Sequence, residues 1–178
     1  MMRAALTYNT PLLAPVERPS DRRMREPSIN KRYNPVRPHY RMDLNEDLIF
    51  SRIREINDAL ELLKGFTLKE FSSLSRAELL AMKYSVIQLV EASASICVHL
   101  LENLGERPLG YPDCFIRMGE RGLLPKELAS RLAAAARLRN LLVHRYWSIS
   151  DLRVYESVKE GLSDFNEFIS HVKALMRG

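Results

Sequence analysis

From residue 44 onward the apolar positions fall at helical intervals. Leu44, Leu48, Ile53, Ile56, Leu60 and Leu63 recur mainly at three- and four-residue steps, and Gly65 is placed to stop that helix. Ser75-Arg76-Ala77-Glu78 is a capping-box pattern. It predicts the start of a long helix that runs to about Leu104 and ends at Gly105. A loop with Pro108, Gly110 and Pro112 follows, then a short helix over about 113–120, stopped by Gly122. Pro125 suits the first turn of the next helix, which carries residues 131–147. Ser148 or Ser150 caps the last helix. There Tyr155, Val158, Leu162, Phe165, Ile169, Val172 and Met176 alternate three- and four-residue steps, the mark of a core-facing stripe. No strand pattern competes and no internal repeat is visible. The expectation is an all-α protein: an up-and-down bundle of four main helices plus a short one over residues 43–178.

Residues 1–42 break the pattern. They hold six of the nine prolines and show no periodicity, a composition that rarely packs a core. Nine of the 27 Lys and Arg but only three of the 22 Asp and Glu lie there, so the whole net charge of +5 belongs to this segment. It reads as an irregular basic arm, disordered or extended. It either tracks RNA or a partner by electrostatics, or is an unstructured extension; alternatively, translation starts at Met42. The remainder is close to neutral, so a nucleic-acid site there must be a local patch.

Other classes are disfavoured. With 46% hydrophobic residues, 178 residues suffice for one domain with a real core. No apolar run approaches the ~20 residues of a membrane span, and no secretory h-region opens the chain. Cys97 and Cys114 make no CxxC pair or metal spacing, so both read as reduced thiols of a cytoplasmic protein. No cluster has metal-ligand spacing and no Gly-rich phosphate loop is present, so neither metal nor cofactor is expected.

One constellation carries chemistry. Arg139, His144 and Tyr146 stand in an Arg-x4-His-x-Tyr array. A guanidinium grips phosphate with a fork of donors, and an imidazole exchanges protons near neutrality. On an ideal helix Arg139 and Tyr146 project within about 20° of each other, and Asn140 and His144 form a second row. His144 falls near a helix C-terminus, where the dipole favours the imidazolium. Alternatively, Arg139 is a surface charge, His144 a satisfied helix-end histidine and Tyr146 a core aromatic. Gln88, Glu91, Ser95, His99 and Glu102 form a polar stripe on the long helix. Glu91 and Ser95 could wall the same cleft, with Glu91 paired to Arg139 or His144; the stripe could equally be a solvated face. His99 reads as structural. His39, in the arm, and His171, among core positions, have no partner at catalytic spacing.

The segment from Leu138 to Phe168 resembles the signature region of HEPN-domain proteins, and within them the HepT toxins, with Arg139, Asn140, His144 and Tyr146 in the family's positions. Weaker similarity extends over about 43–175, leaving the arm outside. The resemblance implies a metal-independent endoribonuclease in which the ribose 2′-hydroxyl attacks the adjacent phosphorus. Arg139 would stabilise the phosphorane, His144 would transfer protons, and Asn140 would orient substrate or His144. It also implies a homodimer that brings two histidines to one cleft, and a nucleotidyltransferase antitoxin that silences the toxin by attaching AMP to Tyr146. A second implied possibility is a non-catalytic HEPN subunit presenting nucleotide or substrate to a nucleotidyltransferase. A third is a purely structural dimerising bundle.

Overall fold

The computed structural model describes residues 44–145 and 149–177. They form α1 (Glu46–Thr67), a 3-10 turn (Phe71–Ser73), α2 (Arg76–Asn103), the short α3 (Tyr111–Glu120), α4 (Lys126–His144) and α5 (Asp151–Leu175), with no strand among the described residues. The expected arm, residues 1–42, lies outside them.

Side-chain contacts fix the direction of each helix. The Asn45 side chain accepts from the Leu48 N–H at 3.0 Å and caps α1. The Asn45 N–H in turn donates to His99 Nε2 at 3.0 Å, so α1 begins where α2 ends. At the opposite end Lys69 pairs with Glu78 at 2.5 Å. Hence α1 and α2 are antiparallel. The Tyr155 hydroxyl donates to the Lys69 carbonyl at 2.7 Å, and Lys83 pairs with Asp151, so α5 starts beside the start of α2. Arg131, early in α4, donates to Asp164 at 2.8 Å in the second half of α5, which makes α4 and α5 antiparallel. The order up, down, up, down follows for α1, α2, α4 and α5, as the periodicity predicted; α3 packs on α2 and α4.

The expected stripes are the buried ones. Ile49, Ile53, Ile56, Leu60 and Leu63 from α1 meet Tyr155, Val158, Phe165, Phe168, Ile169 and Val172 from α5 in one core. Phe115 of α3 meets Phe168 edge-on, with centroids 6.1 Å apart. Small residues on α2 (Ala92, Ser93, Ala94) and α4 (Ala129, Ala133, Ala136) are buried and permit close approach. Ser93 and Ser85 lose no hydrogen bond, since each hydroxyl donates to the carbonyl four residues back, at 2.7 and 2.9 Å. Among the described residues α2 is the one helix long and apolar enough to cross a membrane by length and composition, an exception to the expectation from sequence. Its apolar residues are largely consumed by the core.

Three boundaries differ from expectation. Gly65 does not stop α1, which continues to Thr67 and closes through the Leu68 N–H on the Lys64 carbonyl at 3.1 Å. A glycine weakens a helix without ending it unless it takes the left-handed conformation; Gly105 and Gly122, at φ 75° and 70°, do so and end α2 and α3. The short helix starts at Tyr111, with Pro112 in its first turn. Pro125 takes the cap position just before Lys126. Ser150 precedes α5 as its cap residue, without a side-chain capping bond; Ser148 lies outside the described residues.

Candidate functional site

The site is built on Arg139, in the last third of α4. Its side chain is only 16% exposed. Nη2 forms an ion pair with Glu91 Oε1 of α2, the pairing anticipated from the polar stripe. Nη1 donates to Asn140 Oδ1 at 3.3 Å. The guanidinium carbon lies 5.1 Å from the centre of the Tyr111 ring, a cation–π contact from α3. Nε is buried and has no hydrogen-bond acceptor among the described residues. Three helices therefore fix the orientation of one cation.

Tyr111 was not singled out from sequence. It is distant from Arg139 along the chain, and Gly110-Tyr111-Pro112 signals only a helix start. The loop before it is held firmly. Asp113 accepts from the Leu109 N–H at 2.8 Å and from Arg117 Nε at 2.7 Å. Those two contacts, the backbone one first, hold its carboxyl below the usual carboxylate range. Arg117 also reaches Glu106 at 3.2 Å, and Arg121 pairs with the same carboxylate.

Glu91, Ser95 and Tyr111 line one groove together with Tyr84 and Gln88 of α2 and Arg52, Glu55 and Asp58 of α1. Its volume is about 570 Å³. Glu91 and Ser95 thus stand on a groove wall, and the upper part of the polar stripe faces a cavity. The lower part does not, because His99 is spent on the Asn45 N–H.

His144 is the last residue of α4 and is exposed. Among the described residues its imidazole makes no hydrogen bond to the side chains of Arg139, Asn140 or Glu91. Asn140, expected to orient substrate or His144, accepts a hydrogen bond from Arg139 Nη1. Arg145 closes α4 at φ −144°, ψ 38°. Tyr146 itself lies outside the described residues. Leu142 is buried and Leu141 is exposed.

The two thiols are free and buried. Burial foremost, then a hydrogen bond with Cys114, pushes the Cys97 thiol well above its ordinary value, which makes it a poor nucleophile. Among the described residues no group of three or more His, Cys, Asp or Glu side chains is placed to hold a metal ion.

Fold and site together define a helical-bundle protein that carries an internally paired arginine and an exposed histidine on one helix. The family model for Ribonuclease HepT-like proteins matches residues 53–172. The chain belongs to the HepT-like ribonuclease family of the HEPN superfamily. It is 27% identical over 135 residues to the tRNA nuclease HepT of Aphanizomenon flos-aquae, covering 72% of this chain and 90% of that protein. To the mRNA nuclease HepT of Shewanella oneidensis it is 28% identical over 95 residues, covering 51% and 71%. Among solved structures, a toxin–antitoxin complex with AMP-PNP superposes with a TM-score of 0.67 at 22% identity, covering 72% of this chain and 98% of that one. The tri-AMPylated Shewanella oneidensis HEPN toxin in complex with its MNT antitoxin gives 0.65 at 22% identity, covering 72% and 98%. At that identity the structural likeness shows the fold.

Proposed function

We propose that this protein is the toxin of a toxin–antitoxin pair and cleaves RNA endonucleolytically without a metal. The observation that carries the proposal is the fixed guanidinium. Arg139 is held by Glu91, Asn140 and the Tyr111 ring beside an open groove, with the exposed His144 ending the same helix. The names of the relatives, a tRNA nuclease and an mRNA nuclease, support the same reaction class.

In this reading the ribose 2′-hydroxyl loses its proton to a base and its oxygen bonds to the neighbouring phosphorus. The 5′-oxygen leaves with a proton from an acid, and a 2′,3′-cyclic phosphate remains. Arg139 stabilises the added negative charge of the phosphorane. His144 moves protons. One imidazole does not readily serve as base and acid in a single step, so a second copy of the chain supplies the other from its own His144. Asn140 orients the Arg139 guanidinium. The partner is a nucleotidyltransferase antitoxin that attaches AMP to Tyr146; the added charge and bulk repel RNA. The AMPylated state of the Shewanella toxin supports this part.

The test is induction of the chain alone, with purified protein assayed on total RNA and the ends of the products analysed. Wild type should arrest growth and leave cyclic-phosphate ends. His144→Ala should remove toxicity and lower cleavage by about 10²–10⁴-fold. Tyr146→Phe should remain toxic despite co-expressed antitoxin. A wild-type chain that neither arrests growth nor cuts RNA would point to the non-catalytic binding subunit instead.

A further inference from the structure

We propose that Glu91 is a built-in stand-in for the RNA phosphate: it neutralises Arg139 in the RNA-free protein and swings aside when a phosphodiester binds. This rests on the preceding reading, that Arg139 receives phosphate.

The side edge of a guanidinium presents two parallel donors, Nε and Nη2, and suits the paired oxygens of a carboxylate or a phosphate equally well. In this protein that edge is half used. Glu91 takes Nη2, while Nε has no acceptor among the described residues. The other edge is occupied by Asn140 at 3.3 Å, and the ring of Tyr111 covers one face at 5.1 Å. A phosphate therefore has one favourable approach, to Nε and Nη2 together, and Glu91 stands in it. Two anions cannot share that edge without strong repulsion.

Burial decides which of the pair yields. The Arg139 side chain is 16% exposed and held by three partners, whereas Glu91 is 44% exposed and borders the groove of about 570 Å³. In this proposal the carboxylate turns into that groove while the helices stay in place. The guanidinium then keeps its orientation through Tyr111 and Asn140 and offers both donors. In the free protein Glu91 prevents an unpaired buried cation, which is costly. In the complex the phosphate takes over that duty. RNA affinity is lowered by this competition, as for any ligand that must first displace a closed state.

The proposal is tested in the full chain carrying His144→Ala, so that RNA is bound without being cut. Binding of a short fluorescent single-stranded RNA is read by anisotropy across a salt series. Adding Glu91→Gln keeps the shape and removes the charge. We expect binding about tenfold tighter, equivalent to ~1.4 kcal/mol, with a steeper salt dependence. Glu91→Asp, which keeps the charge, should bind like the parent. If Glu91→Gln loses its fold, Glu91→Met carries the same expectation. Binding unchanged or weakened by the charge-removing variant, while Arg139→Gln weakens binding, overturns the stand-in role alone and leaves Glu91 as a positioning residue. If Arg139→Gln binds RNA as tightly as the parent, the phosphate-binding reading fails, and this inference with it.

Discussion

Adding one methyl group at Gly119 should loosen the seat of α3 on α4 and, with it, the platform under Arg139. Gly119 is buried, and a Cβ built there would lie 2.7 Å from the Cβ of Ala129 and 3.6 Å from the Cα of Lys126. Carbon atoms pack best at about 3.5–4.0 Å, so one helix must move by roughly 1 Å. Neither Ala129 nor the Lys126 backbone has a rotamer that turns away. The overpacking should therefore cost near the upper end of the usual range, about 3 kcal/mol. Alanine recovers about 1 kcal/mol of helix propensity over glycine, leaving a net loss of about 2 kcal/mol for Gly119→Ala. Urea unfolding followed by circular dichroism measures it. The reasoning is checked by Ala129→Gly, which alone costs about 1–2 kcal/mol from propensity and a lost methyl but removes the obstructing carbon. The double variant should be more stable than the two single losses predict, by about 3 kcal/mol, the steric cost that the missing methyl relieves. Additive losses, with coupling below about 0.5 kcal/mol, would refute the steric account.

Three further outcomes follow from the same contacts. The Glu78 carboxyl is lowered from 4.5 to about 2, first by Lys69 and then by Ser75. A lowered folded-state value adds stability above pH 4.5 that is lost as the pH falls toward 2; Glu78→Gln should flatten the acid limb of a stability–pH profile between those limits. His99→Ala removes the acceptor for the Asn45 N–H and should cost about 1 kcal/mol in unfolding experiments, with RNA cleavage intact, in contrast to His144→Ala. Phe168→Ala empties the place opposite Phe115 and should destabilise by about 3–5 kcal/mol, read by thermal melting.

The legibility of the site divides along chemical lines. Arg139, Asn140 and His144 share one helix, so spacing alone placed them on it. Glu91 was visible as part of a polar stripe, but the stripe split into two fates that periodicity could not separate. Glu91 meets the cation and lines the groove with Ser95, whereas His99 ties α1 to α2. Gly65 misled because a helix tolerates glycine in its interior, and α1 ran on to Thr67. Tyr111 gave no signal at all, since its contact with Arg139 joins two separate helices.

Sequence by itself determined the helices, their apolar faces and the all-α class, because periodicity, caps and glycine stops act within a few residues of one another. It also determined the family, through residues of one short segment. Tertiary structure alone decided that Arg139 is neutralised by Glu91 and laid over Tyr111. Those partners come from α2 and α3, and their meeting depends on how closely small residues let the helices approach. No local rule along the chain encodes that distance.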